Sequence, residues 1–269
     1  MLIEWNVSPE IVTIGPLVLR WYGLLFASSF IFGYKIVDTM FKREGKTEKD
    51  LNDLVWYMVL GTVIGARLGH CIFYNPEFYL TNPLEILKIY RGGLASHGAA
   101  VGILSAIYLF VRNRSNITYL WMMDRIVIVV ALAAFFIRTG NLFNSEIVGT
   151  PTNLPWGFVF LQSSSLSDVD KLIPRHPAQV YEAIIYLAIF IGLYWLYKKK
   201  YKVLQDGFLF GIFMASVFGF RFIVEFVKEN QTYFEDEMSL NMGQWLSIPL
   251  VLAGLYLMYT KRKMKNNTT

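Results

Sequence analysis

Apolar positions gather into seven long blocks separated by polar stretches, near 17–40, 52–74, 97–111, 119–137, 178–197, 207–227 and 243–260. Most approach the roughly 20 residues that a helix needs to cross the hydrocarbon core of a bilayer. The third block is short, so its helix is expected to start deeper or run further than the block itself. A chain that crosses lipid must close its backbone hydrogen bonds internally, and a helix does so within one segment. The pattern predicts an all-α polytopic membrane protein, a bundle of seven transmembrane helices. One bundle uses the whole length, so residues 1–269 are expected to form a single domain with no linker and no tandem repeat.

Composition agrees. The chain is 55% hydrophobic, 16% aromatic and only 17% charged, where soluble domains carry about 25% charged residues. Met1 to Gly15 is mixed polar, with Glu4 and Glu10, and does not read as a cleavable signal. The single cysteine, Cys71, rules out an internal disulfide, and three histidines without a metalloprotease spacing argue against a metal site.

The net charge of +5 could suggest a nucleic-acid partner, but its distribution points to topology. Loop 41–50 holds Lys42, Arg43, Lys46 and Lys49; loop 112–118 holds Arg112 and Arg114. Loop 198–202 holds Lys198, Lys199, Lys200 and Lys202, and the tail holds Lys261, Arg262, Lys263 and Lys265. The opposite, longer loops hold only Lys88, Arg91, Lys171, Arg175 and Lys228. The positive-inside rule then places the N-terminus outside and the C-terminus in the cytoplasm. Two outer-face segments, 75–96 and 139–177, carry Pro, Asn, Trp and Tyr and suit the membrane interface. Leu84 to Arg91 reads as a short amphipathic helix there.

Charges inside apolar spans cost roughly 2.5–3.5 kcal/mol each on insertion scales and usually serve function or are paired. Here they are Arg67, Arg221, Glu225 and Glu182, with His97 opening the third span and Arg138 closing the fourth. Nearly all fall in the outer half, which predicts a shared polar cavity open to the outer surface. Bland readings stand beside this one. Arg221 and Glu225 are spaced to neutralise each other on one helix face. Arg67 can serve packing, and a lone His70 is usually structural. Gly61, Gly65 and Gly69, Gly98 and Gly102, and Gly207 and Gly211 repeat every four residues and predict close helix packing.

Arginine suits a phosphate because its planar fork donates two hydrogen bonds at once. Arg138 and Arg221 at one depth suit a phospholipid headgroup, with Asn141 and Asn144 for hydroxyls or a peptide backbone. A histidine nearby can take a proton from a thiol or hydroxyl. The residues alone thus point to an intramembrane transferase or hydrolase acting on a phospholipid. The rivals are an anion transporter, which would show an inverted repeat and polar residues through to the cytoplasmic side, and a retinal photoreceptor. No matching halves are visible, and span 243–260 has no lysine for retinal.

The run Arg138-Thr139-Gly140-Asn141-Leu142-Phe143-Asn144-Ser145-Glu146-Ile147-Val148-Gly149 resembles the R-x-G-N-x-x-N-x-E-x-x-G signature of the bacterial phosphatidylglycerol–prolipoprotein diacylglyceryl transferases. Arg20 to Gly23, Gly65 to Gly69, Gly92 to Gly98, His176 to Glu182 and Phe220 to Phe226 match five further segments of that family in order. The resemblance implies a multi-pass enzyme of the bacterial inner membrane. Such an enzyme moves the diacylglyceryl group of phosphatidylglycerol onto the lipobox cysteine thiol of a prolipoprotein signal peptide, leaving a thioether and glycerol phosphate, with no metal or cofactor. It implies that Arg138 and Arg221 bind the phosphate, that His97 acts as general base and that Tyr22 is a further catalytic residue. Asn141, Asn144, Glu146, Gly149, Arg67 and Glu225 are expected around the lipid headgroup. Two positions depart from the pattern: Ile137 stands where a small residue is common, and Val217 where many members carry a tyrosine.

Overall fold

Every apolar block forms a helix. In the computed structural model, which describes residues 3–15, 17–89, 92–229, 235 and 238–262, the main helices are α1 (Trp21–Arg43), α2 (Glu48–Phe73), a short α3 (Pro76–Thr81), α4 (Ser96–Arg112), α5 (Tyr119–Phe143), α6 (Ala178–Lys200), α7 (Phe208–Val224) and α8 (Met242–Lys261). Six of them are long and apolar enough to cross a membrane, and α4 is apolar but shorter. Its 17 residues rise about 25 Å at about 1.5 Å each. The chain is therefore a multi-pass membrane protein.

Three expectations change. The fold is not wholly helical: β1 (Ile3–Trp5) pairs in parallel with β4 (Phe158–Phe160), and β2 (Glu10–Ile14) pairs antiparallel with β3 (Leu17–Arg20). The first helix consequently starts at Trp21 rather than at 17, since an unbroken apolar run does not mark a change from strand to helix. The fourth runs to Phe143 rather than 137, so Arg138 lies inside a helix. Thr139 and Asn141 do not break it, because Thr139 donates back to the Phe135 carbonyl at 2.9 Å and the Asn141 amide bonds side chains. The expected amphipathic helix at 84–91 is instead a 3-10 turn over Pro83–Leu87 after α3; Tyr90 and Arg91 lie outside the described residues.

Residues 37–123 form one compact unit, and residues 1–36 with 124–269 form another. In the first, α2 and α4 meet through the predicted glycine faces. A Cβ built on Gly98 would stand 2.2 Å from the Gly65 carbonyl oxygen, and one on Gly102 2.0 Å from that of Gly61. Not even a methyl fits, as expected where membrane helices bring their backbones together.

In the second unit, Gly211 of α7 faces Gly254 of α8 in the same way. Gly207 takes φ 97° as the residue before α7. The helix start is capped from α5, where Asp124 accepts from the Gly207 and Phe210 amides at 2.9 and 2.8 Å. Asp124 and its neighbour Arg125 are buried, 14 residues or about 20 Å along α5 from Arg138. Buried charge is therefore not confined to one end of the spans. Both oxygens of Asp124 are taken by backbone N–H groups, which gives this carboxylate a structural use.

The segment joining α5 to α6, expected as an interfacial loop, is a patch of paired backbone. Residues 149–151 lie between 175–176 on one side and 227–228 on the other. Gly149 N–H donates to the His176 carbonyl at 3.0 Å, His176 N–H to Thr150 at 3.0 Å and Thr150 N–H to Val227 at 2.9 Å. Arg175 in turn pairs with Phe158 of β4. These rows bind the end of α5, the start of α6 and the end of α7 together.

Candidate active site

Polar side chains of the second unit converge where those rows meet the helices. Arg138 on α5 sits with its Nε 2.9 Å from Glu182 Oε2 on α6, and its Nη1 donates to Asn141 Oδ1 at 3.2 Å. Glu182 is completely buried, and Tyr186, one turn along α6, donates its hydroxyl to Oε1 at 3.3 Å. Isolated buried carboxylates are very costly, so they come with partners. Lys228 provides another: its Nζ lies 4.0 Å from Glu182 Oε1 and 2.7 Å from Glu225 Oε1. Glu225 also faces Arg221 of α7, at 3.6 Å from Nε, and accepts from Asn241 Nδ2 at 3.2 Å. Gly243 at the start of α8 leaves room for it, since a Cβ there would fall 2.7 Å from the Glu225 carboxyl carbon. Arg138, Glu182, Lys228, Glu225 and Arg221 thus form one chain of alternating charge.

Neither arginine is saturated by these contacts. Arg221 Nε is buried without a hydrogen-bond partner among the described residues, and the Arg138–Glu182 contact is an ion pair off the hydrogen-bond direction. Arg221 keeps 35% of its side chain exposed and Arg138 keeps 16%. Two partly free guanidiniums beside carboxylates that orient them are chemically suited to an oxyanion.

The residues after Arg138 are held by each other. Asn141 and Asn144 donate to the same Glu146 oxygen at 2.7 and 3.1 Å, and Gln179 of α6 donates to the Glu146 carbonyl at 2.6 Å. Around this knot Ser145 and Ile147 take left-handed φ of 51° and 58°. For β-branched Ile147 that conformation costs on the order of 1–3 kcal/mol and persists only where surroundings impose it. Oδ1 of Asn144, Oγ of Ser145 and Oε1 of Gln179 are buried without partners among the described residues. Tyr22, near the start of α1, packs on Gly140: a Cβ there would meet its ring at 2.7 Å. The same phenol lies within the fields of Glu146 and Arg138.

Gly149 closes the motif by close approach. A Cβ on it would stand 2.6 Å from the carbonyl oxygens of both His176 and Val227. Gly149→Ala must therefore push apart the rows that hold α6 and α7, a change expected to lower stability by about 1–3 kcal/mol. Any activity of this site should fall further than the folded fraction does. A thermal midpoint in detergent and an activity assay that both match the unaltered protein would show that the approach is unimportant.

Of the residues expected from sequence, Tyr22, Arg138, Asn141, Asn144, Glu146, Gly149, Arg221 and Glu225 lie in this unit and Arg67 and His97 in the other. Arg67, expected on the lipid headgroup, is buried and turned to backbone. It donates to the carbonyls of Glu85, Ile86, Gly92 and Gly93 at 2.6, 2.9, 2.7 and 3.1 Å. Four of the five guanidinium donors are thus occupied. Gly92 and Gly93 both take left-handed φ, 83° and 74°, and Ala95 N–H donates to the Ala66 carbonyl at 2.9 Å. The loop ahead of His97 is thereby pinned to α2, and His97 stands exposed on the first turn of α4. The sequence reading put Glu182 only among the charges of the shared cavity and named no site role for it, Lys228, Gln179 or Asn241. A signal was present for two of them, because Gln179 and Glu182 stand in the His176–Glu182 motif.

Comparison with known proteins adds an independent line. The family model described as prolipoprotein diacylglyceryl transferase matches residues 9–260. A phosphatidylglycerol–prolipoprotein diacylglyceryl transferase of Chloroherpeton thalassium is 47% identical over 97% of this chain and 95% of its own. The proteins of the same name from Tolumonas auensis and Bacteroides fragilis are 46% and 42% identical, each over 98% of this chain and 99% and 97% of their own.

Proposed function

The chain belongs to the prolipoprotein diacylglyceryl transferase family, and on that premise we propose that it moves the diacylglyceryl group of phosphatidylglycerol onto the lipobox cysteine of prolipoprotein signal peptides. The cysteine thiolate attacks the glyceryl carbon that bears the phosphate oxygen. A C–S bond forms, the C–O bond breaks, and glycerol phosphate leaves with the bonding pair. His97 takes the thiol proton. Arg138 and Arg221 hold the phosphate and offset the charge that grows on it. Asn141, Asn144 and Glu146 shape the headgroup site, Tyr22 borders it, and Gly149 lets its walls approach. Glu225 orients Arg221, and Arg67 holds the loop before His97. The observation that carries the reading is the single charge chain joining Arg138 on α5 to Arg221 on α7.

The family match runs through both compact units, which supports one transferase domain over residues 1–269. We read α4 as the seventh span, with the N-terminus outside, the C-terminus in the cytoplasm, the active site at the outer face and the protein in the bacterial inner membrane. The basic loops support that sidedness. The test is reconstitution of the purified protein with phosphatidylglycerol vesicles and a lipobox peptide, read by mass spectrometry. The peptide should gain one diacylglyceryl group, and a Cys→Ser peptide should not. No mass gain on the cysteine peptide refutes the proposal.

A further inference from the structure

A cation has little reason to be buried between two carboxylates unless their placement matters. Lys228 is such a cation. Its side chain is 4% exposed, and its Nζ lies 2.7 Å from Glu225 and 4.0 Å from Glu182. Each of those carboxylates holds one arginine: Glu182 meets Arg138 at 2.9 Å and Glu225 meets Arg221 at 3.6 Å. Lys228 is the one residue of the chain of charge that touches both halves. Its backbone is fixed as well. It stands opposite Gly149 in the paired rows, with Val227 accepting from Thr150 at 2.9 Å and Glu229 donating to Val148 at 3.3 Å.

We propose that Lys228 is a positioning residue for transfer, whose ammonium bridges Glu182 and Glu225 and so sets the spacing of Arg138 and Arg221. The inference rests on the assignment of those arginines to the lipid phosphate. Without the ammonium, two buried carboxylates face each other with nothing between them, and like charges at short range push apart or force one group to take up a proton. Either response moves the carboxylate that orients an arginine. A misplacement on the order of 1 Å costs up to about 10²-fold in rate.

The experiment uses the full-length protein in phosphatidylglycerol vesicles with a lipobox peptide. Lys228→Gln keeps an amide to donate to Glu225 and a similar size, so it leaves the fold in place while removing the charge. It should lower kcat/KM for the lipid by about tenfold or more, with KM for the peptide within about twofold. Lys228→Arg keeps the cation and should recover most of the loss. Thermal midpoints in detergent are measured for both variants. Wild-type lipid kinetics in Lys228→Gln would overturn the proposal. So would Lys228→Arg being as impaired as Lys228→Gln, or a loss that only follows the fall in folded protein with both KM values unchanged. Absence of transfer by the unaltered protein would instead overturn the functional reading itself.

Discussion

Arg138→Ala is expected to abolish diacylglyceryl transfer, with kcat falling by about 10²–10³-fold or more, while the protein still inserts into the membrane. The guanidinium has two duties. It faces the proposed phosphate, and it lies 2.9 Å from Glu182, which is fully buried. Removing one member of a buried ion pair costs about 3–5 kcal/mol when the other is left uncompensated. Here Glu182 keeps the Tyr186 hydroxyl at 3.3 Å and the Lys228 ammonium at 4.0 Å, so the stability loss should fall below that range. The two duties separate in the double variant Arg138→Ala/Glu182→Gln. A neutral amide no longer needs the cation, so thermal stability should recover while transfer stays absent. Arg138→Lys should fail too. Its single ammonium cannot reach Glu182, Asn141 and a phosphate together as the planar fork does. Full activity of either single variant in the reconstituted assay would remove Arg138 from the phosphate site.

Arg138 also shows what sequence can and cannot make legible. Spans were readable because about 20 apolar residues in a row have few alternatives in lipid. The arginine and the amides after it were readable as candidates for a site, because a packed core does not call for them. The end of the helix was not. Asn141 normally competes with the backbone, but here its side chain is engaged by Arg138 and Glu146, so the helix runs to Phe143. Strands Ile3–Trp5 and Phe158–Phe160 pair across more than 150 positions, and nothing local to either announces that partner. Lys228 was legible only as one more basic residue in a loop, since its two carboxylates come from separate positions. Arg67 shows that one signal can serve two uses. A buried arginine in a membrane span suggests a ligand, and here its donors also answer the carbonyls of Glu85, Ile86, Gly92 and Gly93.

That loop makes the second large effect testable. His97→Gln should lower kcat by about 10²–10⁴-fold, the usual worth of a positioned general base, and should leave KM for phosphatidylglycerol nearly unchanged. The substitution does not disturb the loop, because Arg67 grips Gly92 and Gly93 and Ala95 is bonded to Ala66 without help from the imidazole. The pH dependence is diagnostic. A free cysteine thiol ionises near pH 8.5. Without a base to take the proton, the rate should follow the fraction of peptide thiolate already present. It should therefore rise close to tenfold per pH unit below the thiol pKa and level off above it, so the deficit against the unaltered protein narrows in alkali. Replacing the thiol by a selenol of much lower pKa should shrink that deficit near neutral pH for the same reason. If His97 only binds or orients lipid, His97→Gln will raise the lipid KM, and its deficit will stay constant with pH and with the selenol peptide.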